Sequence, residues 1–251
     1  MSIDWAAWLE RWDRQQAGYV SQREERFTAV FDVLEALLPP EFVAVDLGCG
    51  PGSLSARLLA RFPAARAVGV DFDPAMLALG RGALGSVGGR LRLVKADLDS
   101  PAWVDEIGEA RIDAVVSSTA LHWLHPEPLA RTYRDAHALL RPGGVLIDAD
   151  HLAFGEPTLR RLDDERLERE WSDEAFAARG IETAEQWWEA FGREPGGAEL
   201  VAARAAAFAG KTRQETPPDF DAHVAALRAA GFGEIGTVWQ RGSDRVLVAV
   251  R

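Results

Sequence analysis

Cysteine is almost missing from this 251-residue chain, with Cys49 as its single example. One cysteine leaves no internal disulfide and no multi-cysteine metal site, and it suits a reducing, cytoplasmic setting. Long apolar runs are also lacking: no uninterrupted stretch approaches the roughly 18 residues of a membrane span. The opening MSIDWAAWLERWDRQQ is amphipathic but carries a charge every few residues, so it has no apolar centre of the kind a signal peptide needs. The expectation is a soluble protein with no membrane partner. Positive charge is in deficit, 28 lysines and arginines against 39 aspartates and glutamates, for a net charge of -11. Such a surface repels phosphate backbones at neutral pH, which argues against nucleic acid as a partner. Internal repeats and low-complexity linkers are absent as well.

What remains is an ordinary globular composition, 47% hydrophobic, in a chain long enough to bury a core. Residues 3–38 read as helical: Trp5, Trp8, Leu9 and Trp12 recur at helix spacing, and Phe27, Val30, Phe31, Leu34 and Leu37 form a second stripe. Pro39-Pro40 ends that pattern. From Phe42 onward, β-rich runs at 42–47, 66–71, 90–94, 112–117 and 144–149 alternate with helical stretches at 53–62, 74–84, 101–110 and 126–141. That alternation predicts a parallel sheet with helices on both faces. Near the end, DFDAHVAALRAAGF reads as a helix stopped at Gly231. Two more β-rich runs follow, EIGTVWQ and DRVLVAV, joined by Arg241-Gly242-Ser243 as a hairpin. The expected fold is therefore α/β: a doubly wound, seven-stranded, mostly parallel sheet, its last strand antiparallel, with N-terminal helices and a helical insertion after strand 5. We divide it into an N-terminal helical cap at 1–40, an α/β domain at 41–154 and 216–251, and the insertion at 155–215, expected to fold over the sheet's carboxyl edge.

The stretch VDLGCGPGSL, Val45 to Leu54, closes the first strand with three glycines. In open α/β sheets ligands bind outside the carboxyl ends of the strands. Gly48, Gly50 and Gly52 let the backbone turn sharply and approach a ligand, and the next helix aims its N–H groups at any negative group. A dinucleotide and S-adenosylmethionine are the two ligands to weigh. The dinucleotide pattern is G-x-G-x-x-G, whereas Asp46 here precedes the first glycine. A carboxylate there opposes a pyrophosphate and accepts from an ammonium, so the loop suits an amino acid moiety. Asp71, at the tip of the second strand in GVDFDP, can accept both ribose hydroxyls in either ligand. After the third strand, Ala96-Asp97-Leu98 suits an adenine amino group and ring face, and Asp99 reads as an N-cap for a helix beginning at Pro101.

The series VDLGCGPG, GVDFDP, KADLD, DAVVSSTALHWL and LRPGGVLID, in that order over about residues 42–150, resembles the class I S-adenosylmethionine-dependent methyltransferases. The resemblance implies a Rossmann-like fold and an S-adenosylmethionine cofactor that leaves as S-adenosylhomocysteine. It also implies that Asp46, Gly48 and Gly50 line the methionine portion, that Asp71 holds the ribose, and that Phe72 and Met76 lie against the adenosine. Asp97 would accept from adenine N6 and Leu98 would offer its backbone N–H. Ser117, with Leu121 or Trp123 behind it, would flank the amino acid end and the methyl group. The N-terminal region and ALHWL are most similar to the branch with trans-aconitate methyltransferase and malonyl-carrier-protein methyltransferase. In the former a tyrosine precedes an arginine by seven residues, a spacing that Tyr19 and Arg26 keep. Tyr19 would close over the sulfonium and Arg26 would meet a carboxylate of cofactor or substrate.

Methyl transfer from a sulfonium is mainly a matter of positioning the nucleophile. A carboxylate needs no base, whereas a hydroxyl, amine or acidic carbon loses a proton. His122 and His151 are the candidate bases because they follow the fourth and fifth strands, and the resemblance adds Tyr19 as a third catalytic candidate. His137 and His223 fall in predicted helices and read as packing residues. Trp123, Trp12 and Tyr19 are candidate substrate contacts, and Trp171, Trp187 and Trp188 place further aromatics in the insertion, an apt lid against water. No metal is called for. The expected activity is methylation of a small molecule at an oxygen, nitrogen or carbon, with carboxylate or hydroxyl oxygen favoured. The alternatives are a non-catalytic protein that binds the same cofactor and an NAD-dependent oxidoreductase on the same fold. Monomer and homodimer both stay open.

Overall fold

The computed structural model describes residues 3–20, 22–109, 111–212 and 217–251. Its centre is β1 (Val43–Leu47), a strand buried at every residue. Such a strand has no solvent face, which is why it reads as a continuous apolar run broken only by Asp46. The sheet has seven strands in the order β3-β2-β1-β4-β5-β7-β6. The others are β2 (Arg66–Asp71), β3 (Leu91–Lys95), β4 (Ile112–Ser118), β5 (Leu140–His151), β6 (Glu234–Arg241) and β7 (Asp244–Val250). β1 to β5 run parallel and β7 lies antiparallel between β5 and β6, as expected. The chain winds one way from β1 to β3 and the other way from β4 onward. This puts the switch point at the carboxyl ends of β1 and β4.

The helices before the insertion are α1 (Trp5–Tyr19), α2 (Arg23–Leu37), α3 (Ser53–Arg61), α4 (Pro74–Leu84), α5 (Trp103–Ile107) and α6 (Pro126–Leu139). The insertion folds as α7 (Pro157–Trp171), α8 (Asp173–Ala178), α9 (Ala184–Gly192) and α10 (Gly197–Phe208), and α11 (Phe220–Ala230) precedes the terminal hairpin. One sheet face is covered by α2 and α3 through Phe27, Leu34 and Leu58. The other is covered by α5, α6 and α11 through Trp103, Tyr133 and Leu227. Neither α1 nor α9 joins these layers. Trp8, Met76, Leu79, Trp187 and Phe191 form a third apolar cluster that ties α1, α4 and α9 together. Within it Trp187 stacks on Phe191 at 5.0 Å and meets Trp8 edge-on at 5.3 Å. Trp5, Trp8 and Trp12 of the N-terminal helix and Trp187 and Trp188 of the insertion thus share one core, with Trp171 lying apart from it.

Three expectations need correction. The helix expected over 101–110 is only Trp103–Ile107, and its cap is Ala102. Asp99 is not its N-cap: its carboxylate is taken by the Lys211 ammonium at 2.6 Å. The fifth strand begins earlier than expected, at Leu140, with a register shift between Ile112 and Ala114 where Arg141-Pro142-Gly143-Gly144 enters the sheet. The boundary expected between 215 and 216 lies outside the described residues. No described helix is long and apolar enough to cross a membrane.

Candidate active site

The glycine loop leaves the end of β1 and enters α3. Gly48, Gly50 and Gly52 have φ of +66°, +55° and +86°, a left-handed conformation that side chains oppose. The amides of Gly48 and Cys49 both donate to the Val70 carbonyl, at 2.8 and 3.0 Å, which clips the loop to β2. Gly48 and Gly50 differ in what surrounds them. A Cβ on Gly48 would stand 2.3 Å from the Ala120 Cβ, so only a hydrogen fits between the loop and the segment that follows β4. A Cβ on Gly50 would meet nothing within 4 Å, so its backbone faces open space.

Two carboxylates support this loop. Asp46 is buried and accepts from Ser55 Oγ at 2.7 Å. Burial raises its pKa to about 7, against the Ser55 hydrogen bond and with help from Asp71. Asp71, at the tip of β2, accepts from Gly50 N at 2.7 Å and from Asp73 N at 2.8 Å. Burial lifts its pKa to about 6, opposed by the Gly50 and Phe72 amides and by Arg204. Cys49 is buried too, and burial beside Asp71 and Asp46 pushes its thiol well up, which removes it as a nucleophile.

Beside the loop, residues of the insertion cover the tips of β2 and β3. Phe72 packs against Phe208 with ring centroids 4.5 Å apart, and Arg204 pairs with Asp73, the N-cap of α4. Lys211 Nζ lies 4.6 Å from the Phe72 ring and bridges Asp97 at 2.8 Å and Asp99 at 2.6 Å. Leu98 is buried, with its carbonyl accepting from Arg131 at 3.2 Å. Met76 is turned into the aromatic cluster with Trp8 and Trp187.

The second group of candidates gathers where β4 and β5 end. Thr119, at φ +53°, bends the chain into a short 3₁₀ turn, Leu121–Trp123. The turn brings His122 Nδ1 to 2.6 Å from Asp150 Oδ1, while the His122 amide donates to Asp150 Oδ2 at 3.2 Å. Asp150 is fully buried; burial alone would raise its pKa, but His122, then His151 and Arg26, hold it below the usual carboxylate range. His151 Nδ1 stands 2.8 Å from Asp244 Oδ1 on β7. Arg26, fully buried on α2, donates to the same oxygen at 3.3 Å and to Ser118 Oγ at 3.1 Å. Here it meets a carboxylate of the protein itself. The two imidazole rings are 6.0 Å apart, and their side chains are 11% and 14% exposed.

Aromatic side chains wall this pair. Trp123, 49% exposed, lies 4.5 Å from His122, and Trp171 lies 5.3 Å from His151. Tyr19 packs 5.8 Å from Trp171, with its hydroxyl accepting from the Ala184 amide at 3.4 Å. Trp12 instead packs on Trp187 and Trp188 in the cap cluster. Ser117 is buried, with its hydroxyl donating to the Leu47 carbonyl at 2.8 Å, and Leu121 is buried behind it. Under the pair, Tyr133 donates to Asp148 at 3.0 Å and contacts His223 Nδ1 at 2.7 Å, all three fully buried. His223 is accordingly a packing residue. Among the described residues, no group of three or more histidine, cysteine, aspartate or glutamate side chains could hold a metal.

Sequence reasoning missed Asp150, Asp244 and Ser118. One signal was available: Asp148 and Asp150 stand two apart in the otherwise apolar LIDAD of β5, so both carboxylates face one side of a buried strand.

Residues 44–144 match a family model described as a methyltransferase domain. The trans-aconitate 2-methyltransferase of Azoarcus sp. (strain BH72) is 36% identical over 157 residues, 61% of this chain and 56% of that protein. The protein of the same name from Methylobacterium radiotolerans is 36% identical over 154 residues, 60% of this chain and 54% of its own length. The matches thus span little more than half the length of these relatives. Among solved structures, an O-methyltransferase family protein from Burkholderia thailandensis has a TM-score of 0.56 at 16% identity, covering 94% of this chain and 62% of that one. Human N-acetylserotonin methyltransferase in complex with SAM has a TM-score of 0.55 at 13% identity, covering 96% and 56%. These structures share the fold. With its motif series and sheet order, the chain carries a methyltransferase domain over residues 44–144 and is similar, over about 60% of its length, to the trans-aconitate 2-methyltransferases.

Proposed function

We propose that the chain methylates a hydroxyl oxygen of a small molecule, using S-adenosylmethionine as donor and His122 as the base. The observation that carries this reading is the His122–Asp150 pair, fixed beside the glycine loop by the contact of Gly48 with Ala120. The loop suits the donor: Gly50 faces open space, and Asp71 is a half-buried residue at the adjoining strand tip. In this reading Asp46, Gly48 and Gly50 surround the amino acid portion and Asp71 holds the ribose. Asp97 and the Leu98 amide take the adenine, with Phe72 on the adenosine side and Ser117 at the β4 tip; Met76, turned into the aromatic cluster, supports α4 from behind. The donor supplies a methyl group on a positively charged sulfur, and transfer forms the oxygen–carbon bond as the carbon–sulfur pair returns to sulfur.

The protein's own contribution is placement and one proton. An ionised Asp150 only accepts, so Nδ1 of His122 carries the hydrogen between them and Nε2 presents its lone pair. That nitrogen takes the hydroxyl proton, and the imidazolium formed sits against Asp150. General-base assistance of this kind is worth about 10²- to 10⁴-fold in rate. The aromatic walls from Trp123, Trp171 and Tyr19 keep water from competing.

The name of the curated relatives favours a second reading, methylation of a carboxylate, which needs no base. The two separate in a single-turnover assay with radiolabelled methyl donor, run on hydroxyl and carboxylate acceptors. With His122→Ala, hydroxyl methylation falls by at least about 10²-fold if our reading holds. Unchanged turnover on a carboxylate would favour the second reading. Calorimetric titration with S-adenosylhomocysteine, with NAD as control, tests the donor independently and addresses the oxidoreductase alternative.

A further inference from the structure

We infer that His151 is a second anchor for the acceptor and that the site selects a flat ring compound with two neighbouring hydroxyls, methylated on one of them. The inference rests on the hydroxyl reading above. Asp150 and His151 are consecutive on β5 and point to opposite faces of the sheet. The His122–Asp150 pair therefore comes from the α6 side, and the His151–Asp244–Arg26 group from the α2 side. They meet at the carboxyl edge with ring centroids 6.0 Å apart and planes at 76°.

Each ring turns Nδ1 toward a carboxylate, at 2.6 Å in one case and 2.8 Å in the other. A carboxylate oxygen this close to Nδ1 favours the hydrogen on that nitrogen, which leaves Nε2 of each ring to accept from a ligand. Two acceptor rings with centroids 6.0 Å apart call for two O–H donors. One flat ring with hydroxyls on adjacent carbons supplies both, and its faces match the indoles of Trp123 and Trp171. The reacting oxygen gains nothing from a second partner, because it needs a free lone pair for the methyl group. His151 is better satisfied by the neighbouring hydroxyl.

The two histidines are not equivalent, which decides which hydroxyl reacts. Asp150 meets His122 with both oxygens, Oδ1 on the ring and Oδ2 on the amide, and Oδ1 also accepts from the His151 amide at 2.7 Å. Asp244 shares its carboxylate with Arg26, a group that stays charged. The contact from His151 to Asp244 also lacks hydrogen-bond alignment despite its 2.8 Å length. His122 thus has an aligned carboxylate behind its ring, the geometry a base uses, and His151 is placed to accept a hydrogen bond from the neighbouring hydroxyl. His151 is a specificity-determining residue here.

The test is calorimetric titration of the S-adenosylhomocysteine-saturated protein with catechol, phenol and 2-methoxyphenol. One added hydrogen bond corresponds to up to about tenfold in affinity. Catechol is expected to bind up to about tenfold tighter than the other two in the wild type. His151→Ala should bring catechol down to phenol and leave phenol unchanged, while His151→Gln, whose side-chain carbonyl can accept, should restore part of the preference. Equal binding of catechol and phenol by the wild type would overturn the inference, as would an equal loss for both in His151→Ala. If S-adenosylhomocysteine itself does not bind the wild type, the methyltransferase reading fails and this inference falls with it. Normal cofactor binding without a catechol preference defeats the inference alone.

Discussion

Asp46 shows how a single buried carboxylate links the fold to pH. Its neutral form is favoured in the folded state, with a pKa near 7, while the unfolded chain keeps an ordinary aspartate value. The folded protein then holds a proton that the unfolded chain releases. This contribution to stability is complete below about pH 4 and is lost as pH rises through about 7. Asp46→Asn keeps an oxygen for Ser55 and removes the titration. Its stability relative to the wild type should therefore rise between about pH 4 and pH 8, by on the order of 3 kcal/mol, in urea melts at each pH. A difference that stays flat across this range would mean that Asp46 is ionised in the fold. The comparison with the variant matters because Asp150, held low, contributes with the opposite sign.

At the scale of elements, the β1–α3 loop separates two uses of glycine that look alike in the sequence. Gly48 is required by a neighbour, since its Cβ would collide with Ala120, whereas Gly50 has the same backbone demand and no neighbour. Gly50→Ala should cost about 1 to 2 kcal/mol for the left-handed conformation, a drop of a few degrees in Tm. S-adenosylhomocysteine affinity should fall by a much larger factor, at least about tenfold, because the methyl group enters the space the ligand would use. Equal, small losses in both would mean that no ligand approaches Gly50. Differential scanning fluorimetry and calorimetry read the two effects separately.

The strands themselves were legible because parallel strands covered on both faces become short, continuous apolar runs such as FVAVDL and IDAVVS. The loop was legible because left-handed backbone selects glycine. The histidine partners were not, for a physical reason: His122 meets Asp150 and His151 meets Asp244 only through the register of β5 against β4 and β7. Sheet closure sets that register. No local pattern around Asp244 signals that it will face Arg26 across 218 positions of the chain.

For the whole molecule, the two segments outside the α/β core act as one roof. Trp8 and Trp187 join α1 to α9, Arg11 reaches Glu182 at 2.7 Å, and Trp171 donates to the Tyr19 carbonyl at 2.8 Å. The far end of this roof lands on the tips of β2 and β3, where Lys211 takes the Asp97 carboxylate that an adenine amino group would need. Opening the adenine side thus means giving up an ion pair whose partners are 26% and 39% exposed, a contact worth no more than about 1 kcal/mol. Lys211→Ala should bind S-adenosylhomocysteine about two- to fivefold tighter at low salt. In the wild type, affinity should rise as ionic strength goes from roughly 0.02 M to about 0.3 M and the pair is screened. The variant should lack this dependence. Weaker binding by Lys211→Ala at every salt concentration would reverse the assignment: Lys211 would then hold the roof down over the adenosine instead of competing for Asp97. The salt series distinguishes the two because a competitor is weakened by screening to the ligand's advantage, and a clamp to its cost.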